Sequence, residues 1–223
     1  MEKPPALRPG DTIRLIAPAS PPNDRASLEL AISALEELGY NLKYSDVIFG
    51  HQGYLAGSDE ERARDFEDAF LDKMSDAILC VRGGYGSTRI LDLINWDLIE
   101  KPKVFMGFSD ITALNCALWK KCGFRSFSGP VLTSDLNEGK PDPASWDHSL
   151  SLLSGEKKNG NLISDPFNLS HPSTIVPGTS HGRLIGGNLS LFCSLIGTAW
   201  FPNLKNAILF LEDVGESPYR IDR

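Results

Sequence analysis

Apolar runs that alternate with stretches of helical spacing constrain this chain more than any other feature. Thr12-Ile-Arg-Leu-Ile-Ala reads as a first strand, stopped by Pro18. Leu28, Ile32, Leu35 and Leu38 then share one helical face, and Gly39 closes that helix. Residues 41–49 read as a second strand. A glycine-rich loop at 50–57 leads to a charged helix over about 58–73, with Ala63, Phe66 and Phe70 on its inner face. Ala77-Ile-Leu-Cys-Val is a short, wholly apolar strand, followed by a helix over 88–94. Residues 104–108 form a further strand, 111–119 its helix, and 124–131 one more strand. Such alternation predicts an α/β fold with a parallel sheet covered on both faces. Ligands of such sheets collect beyond the carboxyl ends of the strands.

After Val131 the composition shifts to Pro, Asn, Ser, Asp and Gly. We therefore expect an N-terminal α/β unit over 1–133 and a linker over 134–179, with a short helical patch at 146–153. A second unit starts at 180. It holds a helix over 189–196 and Ala207-Ile-Leu-Phe-Leu as a buried strand. One strand and one helix make a poor core, so the unit at 180–223 reads as the truncated start of an α/β or β-rich domain.

The net charge of -7 over 223 residues argues against nucleic-acid binding, which calls for a basic face. With 41% hydrophobic residues, no leader-like start and no run of membrane-spanning length, we expect a cytoplasmic protein without a membrane partner. Cys80, Cys116, Cys122 and Cys193 are scattered; Cys80 and Cys116 read as buried thiols, and neither a zinc site nor another metal site is expected.

Three places could carry chemistry. Ser109-Asp110 is a polar pair at the strand-to-helix turn. A serine there projects its hydroxyl above a parallel sheet, beside the unpaired first N–H groups of the helix, which suits a nucleophile next to an oxyanion site. Taken alone, this stretch favours the plainer reading, a serine that caps the helix. Arg82-Gly83-Gly84-Tyr85-Gly86 follows a buried strand, and its backbone could bind an anion or serve as an ordinary turn. It has neither dinucleotide nor P-loop spacing. Glu212-Asp213 closes an apolar strand, either as a solvated end or as a catalytic carboxylate on a rigid support. For a serine nucleophile the natural base is a histidine. His148 and His171 lie in the polar linker and are expected to be exposed. His51 and His181 have no context that marks either as a base.

Arg82-Gly-Gly-Tyr-Gly-Ser, Gly107-Phe-Ser-Asp-Ile-Thr-Ala-Leu, Gly186-Gly-Asn-Leu-Ser and Ile208-Leu-Phe-Leu-Glu-Asp-Val-Gly-Glu occur here in one order. Together with Leu7-Arg-Pro-Gly-Asp-Thr-Ile and Ser128-Gly-Pro, they resemble the LD-carboxypeptidases, the muramoyl-tetrapeptide carboxypeptidase family. The resemblance covers nearly the whole chain. It implies a doubly wound N-terminal sheet of flavodoxin or class I amidotransferase type and a Ser-Glu-His serine peptidase without a cofactor. It further implies a homodimer whose substrate is murein tetrapeptide, cut at the L,D bond to release D-alanine in cell-wall recycling. Ser109 matches the nucleophile and Glu212 the carboxylate that orients the histidine. The Asp110 N–H and a glycine N–H, assigned to Gly84, match the oxyanion hole. Arg82, Gly83, Tyr85, Arg89 and Arg183 are candidates for substrate binding.

The chain departs from the pattern in one respect. The family's histidine lies downstream of the position of Glu212, and none of the four histidines here matches it. Two of three triad members are present, so the 223-residue chain is expected to be inactive. A related branch, the microcin C-type peptidyl-nucleotide amidases, would need an aromatic surface such as Trp200. A catalytically dead binder of peptidoglycan fragments is the alternative outside enzymes.

Overall fold

The computed structural model describes residues 3–135, 143–156 and 174–223. Four strands, β1 (Thr12–Ile16), β2 (Asn41–Tyr44), β3 (Ala77–Cys80) and β4 (Val104–Met106), form one parallel sheet in the order β2-β1-β3-β4.

The pleat sorts the side chains between two cores. Ile13, Leu15, Leu79, Val104 and Met106 point to one face, where Leu28, Ala31 and Leu35 of helix α1 (Arg25–Glu37) cover them. Trp146 and Leu153 of α6 (Pro143–Leu153) belong to the same core. Ile16, Ile78, Cys80 and Phe105 point to the other face. Helix α2 (Asp59–Leu71) meets them there with Ala63, Phe66 and Phe70, and α4 (Thr112–Cys122) with Leu114 and Ala117. Both faces of the sheet are thus covered, as the apolar runs require. Helix α2 starts where its sequence dictates: Ser58 accepts from the Glu61 N–H and Glu61 from the Ser58 N–H, a reciprocal cap.

A second, two-stranded parallel sheet joins β5 (Arg183–Asn188) and β6 (Ala207–Glu212), with α7 (Leu189–Ser194) between them. Ile185, Phe192 and Leu195 enter the core that contains α4, so this unit is packed directly against the side of the large sheet that α2 and α4 cover.

Several expectations are corrected. Residues 124–131 form no strand. Phe127 alone bridges to Met106, through its N–H to Phe105 O (2.8 Å) and from the Gly107 N–H (3.1 Å). Pro130 lacks an N–H, and a Cβ on Gly129 would stand 2.8 Å from Met106 Sδ. The second strand stops at Tyr44 and gives way to a 3₁₀ turn, Asp46–Phe49, beside Ser45, whose hydroxyl is held by Asp65. The helix expected over 88–94 is the short α3 (Ser87–Ile90). Leu38 is exposed at the end of α1, where Gly39 turns the chain at φ +88°. Strand β6 is not buried: Leu209, Phe210 and Leu211 are each more than 40% exposed, and β5 is its one strand neighbour among the described residues. Cys80 and Cys116 are buried, Cys122 is half-buried and Cys193 is exposed. Among the described residues no helix is long and apolar enough to cross a membrane, and no cluster of three or more metal-ligating side chains occurs.

Candidate active site

The turn after β4 is tight because the sheet leaves no room. A Cβ on Gly107 would lie 2.9 Å from Ile111 Cγ2 and 3.1 Å from Cys80. After an extended Phe108, Ser109 takes φ +61°, a left-handed conformation shared by only one other described non-glycine residue, Asn206. A serine pays roughly 1–2 kcal/mol for that backbone. Ser109 then opens a 3₁₀ turn, Ser109–Ile111, that runs into α4. Ile111 occupies the cap position of α4 and no side chain caps it, so helix capping does not account for this serine.

The loop after β3 packs on this turn. A Cβ on Gly83 would stand 3.1 Å from Ser109 Cβ and 3.4 Å from the Asp110 nitrogen. Gly84, at φ +91°, packs instead on Ser20, whose hydroxyl takes the Tyr85 N–H at 3.1 Å. The Gly83 carbonyl accepts from the Ser20 N–H at 3.0 Å. Among the described residues the Gly83 and Gly84 N–H groups have no acceptor. Burial raises the Asp110 carboxyl above its ordinary value, against the Ser87 hydrogen bonds and the Arg62 charge, which lower it.

Glu212 reaches this edge through strand register. It pairs with Asn188, whose N–H donates to Thr112 Oγ1 at 3.0 Å in the first turn after Ser109. Glu212 Oε1 is enclosed and has no hydrogen-bond partner among the described residues. Burial first, and then the Asp213 charge, raise the Glu212 carboxyl; the Asn188 side chain pulls it down. A carboxylate oxygen held away from water without a donor is an open acceptor for an N–H.

The arginines divide. Arg82 donates to Pro21 O at 2.9 Å and braces the loop after β1. Arg89 is held by Asp59 through Nε and Nη2. Arg183 stands at the opposite end of β5 from Asn188, bonded to Lys205 O at 2.9 Å and stacked over Trp119. The structure does not bring it to Ser109. Tyr85 is half exposed and meets Tyr54 edge-to-face with ring centroids 5.5 Å apart. A cavity of about 490 Å³ lies between α4 and β5 and is lined by Trp119, Ser128, Arg183 and Phe210, among others; Ser109 is not on its wall.

Of the histidines, His51 and His181 are exposed; His148, expected to be exposed, is half-buried on α6; His171 lies outside the described residues. Trp200 is partly buried against the core, on Trp96 at 5.6 Å and under Lys121. Three supports were not anticipated: Arg62, Ser87 and Thr112. Arg62 could have been noticed as a charge at position i−4 to Phe66 on the apolar stripe of α2. Ser87 and Thr112 lie inside the two quoted motifs, but nothing in the sequence marks either as a support.

Residues 13–129 match the LD-carboxypeptidase N-terminal domain, and residues 181–223 match the LD-carboxypeptidase C-terminal domain. The chain is 41% identical over 222 residues to the probable murein peptide carboxypeptidase of Bacillus subtilis, covering 99% of this chain and 68% of that protein. The crystal structure of muramoyltetrapeptide carboxypeptidase from Oxalobacter formigenes is 31% identical, with a TM-score of 0.77 over 95% of this chain and 68% of that one. An MccF-like protein from Bacillus anthracis is 32% identical, with a TM-score of 0.82 over 95% of this chain and 69% of that one. The chain belongs to the LD-carboxypeptidase family, whose members are hydrolases.

Proposed function

We propose that this member of the LD-carboxypeptidase family carries the nucleophile and carboxylate of a serine-type peptidase that removes the terminal D-residue of a murein tetrapeptide. The observation that carries the reading is Ser109 in a strained left-handed turn at the carboxyl end of the sheet, with Gly83 packed against it. Such a turn holds the hydroxyl clear of the backbone, next to N–H groups that can receive negative charge.

In this mechanism Ser109 Oγ attacks the carbonyl that precedes the D-residue. The oxyanion is taken up by the Asp110 N–H and by an N–H of the glycine loop, assigned to Gly84. A histidine accepts the serine proton and returns it to the leaving amine, while Glu212 orients its imidazole and stabilises the positive charge. The unpartnered Glu212 Oε1 supports that role, since it is an acceptor waiting for an N–H. None of the four histidines of this chain is assigned as the base. The chain by itself is therefore proposed to bind the peptide without turning it over. Arg82 is the candidate we favour for pairing the substrate carboxylate, because among the described residues one of its nitrogens is engaged and the others are left for a ligand. A cytoplasmic, homodimeric enzyme of cell-wall recycling is the setting we propose, with residues 1–133 as the nucleophile domain and 180–223 as the start of the second.

A second reading is a binding protein that keeps the cleft for a peptidoglycan fragment. Calorimetry with an L,D-tetrapeptide, paired with an assay for released D-alanine, tests the first reading. Binding without turnover is the expected result for the 223-residue chain. Turnover that Ser109→Ala abolishes would mean that one of the four histidines serves as base. Absence of binding would remove the substrate assignment.

A further inference from the structure

The two proposed oxyanion donors come from different segments of the chain, and two buried bonds join those segments. Ser87 directly follows the glycine loop. Its N–H donates to Asp110 Oδ2 at 2.8 Å, and its hydroxyl donates to the Asp110 backbone carbonyl. Ser87 is fully buried and Asp110 is 1% exposed, so neither bond competes with water. The far side of the loop is fixed as well. Arg62, also fully buried, donates to Gly86 O at 2.9 Å and to Pro18 O. A Cβ on Gly86 would stand 2.9 Å from Arg62 Nη1 and 2.6 Å from Leu55 Cδ2.

An oxyanion hole lowers a barrier only if its donors are already in place when charge develops. The separation between Asp110 N and Gly84 N is not set by local chain geometry, since a strand, two helices and their loops intervene. It is set by whatever ties the two turns together. We propose that Ser87 and the Asp110 side chain are positioning residues that fix this separation. The inference rests on the oxyanion assignment made above. It also accounts for a carboxylate beside a site that must receive negative charge: the Asp110 group is turned to the Ser87 N–H and lies within the field of Arg62.

The test compares two probes on the 223-residue chain by calorimetry. One is a peptide boronic acid that forms a tetrahedral anion on the serine hydroxyl; the other is the same peptide as its carboxylate. The chain should bind the boronate more tightly. Ser87→Ala removes the hydroxyl bond to the Asp110 carbonyl and should weaken boronate binding by about tenfold, the scale of one lost buried hydrogen bond, while leaving the carboxylate peptide within about twofold. Ser87→Thr, which keeps the hydroxyl, should restore the preference. Asp110→Asn preserves shape and weakens the acceptor; it makes the same comparison if the alanine variant does not fold. Equal losses for both probes, or an undiminished boronate preference in the variants, would overturn the proposal. A wild-type chain that binds the carboxylate peptide with no boronate preference would remove the oxyanion assignment itself, and the positioning role with it.

Discussion

The Asn188 N–H donates to Thr112 Oγ1 at 3.0 Å, and this bond connects the second sheet to the turn that carries Ser109. Gly187 makes the approach feasible, since a Cβ there would stand 2.5 Å from the same oxygen. Asn188 pairs in register with Glu212, so the bond also sets where that carboxylate lies relative to the serine. Thr112→Val keeps the shape and removes the acceptor. It should lower unfolding stability by about 1–3 kcal/mol, the cost of leaving a half-buried N–H unpaired, as read from urea denaturation.

Arg62 is a cation with no solvent exposure that donates to Pro18 O, Gly86 O, Gly57 O and Asp59. Arg62→Met should cost about 3–5 kcal/mol, because it leaves buried carbonyls without donors and releases Asp59 from its buried partner. The Asp59–Arg89 pair, exposed on the arginine side, should matter far less, so Arg89→Ala should lower the unfolding free energy read from urea denaturation by under about 1 kcal/mol.

Gly83 and Gly86 should separate binding from folding. Gly83→Ala places a methyl 3.1 Å from Ser109 Cβ, a crowding that a few tenths of an ångström can relieve. The chain should remain folded by circular dichroism but lose most of its affinity for the tetrapeptide. Gly86→Ala meets Leu55 and Arg62 at φ +126°, and it should destabilise the fold itself.

Asp72 should dominate one part of the acid response. The hydrogen bond from the Lys43 ammonium holds its carboxyl well below the ordinary value of 3.8 against burial, the next effect in size, with smaller help from Ser75 and the Met74 N–H. A carboxyl depressed in the folded state contributes stability above its unfolded value and loses it as pH falls through the folded one. Urea midpoints of wild type and Asp72→Asn should therefore differ most at neutral pH and converge below about pH 4. A constant difference from pH 7 to pH 3 would contradict this assignment.

The four-stranded parallel sheet was legible because Ala77-Ile-Leu-Cys and Val104-Phe-Met are apolar on both faces, which a sheet covered on one side does not need. Residues 124–131 misled because Phe124, Phe127 and Val131 carry apolar character, while Pro130 lacks the N–H a ladder requires and Gly129 has no side chain to pack in a strand. The exposure of β6 could not be read either, since a run such as Ala207-Ile-Leu-Phe-Leu states what the strand prefers, not what stands beside it. Ser109, Glu212 and the glycine loop were visible as motifs. Their supports were not: Ser87, Thr112 and Arg62 act through contacts between residues distant in sequence, and no periodicity encodes them.

Release of D-alanine from an L,D-tetrapeptide, by this chain extended with an LD-carboxypeptidase C-terminal segment that carries a histidine, tests the central claim most directly. The account predicts turnover in the extended protein, none in the 223-residue chain, and loss of turnover on Ser109→Ala. Turnover that persists in the extended Ser109→Ala protein would contradict it.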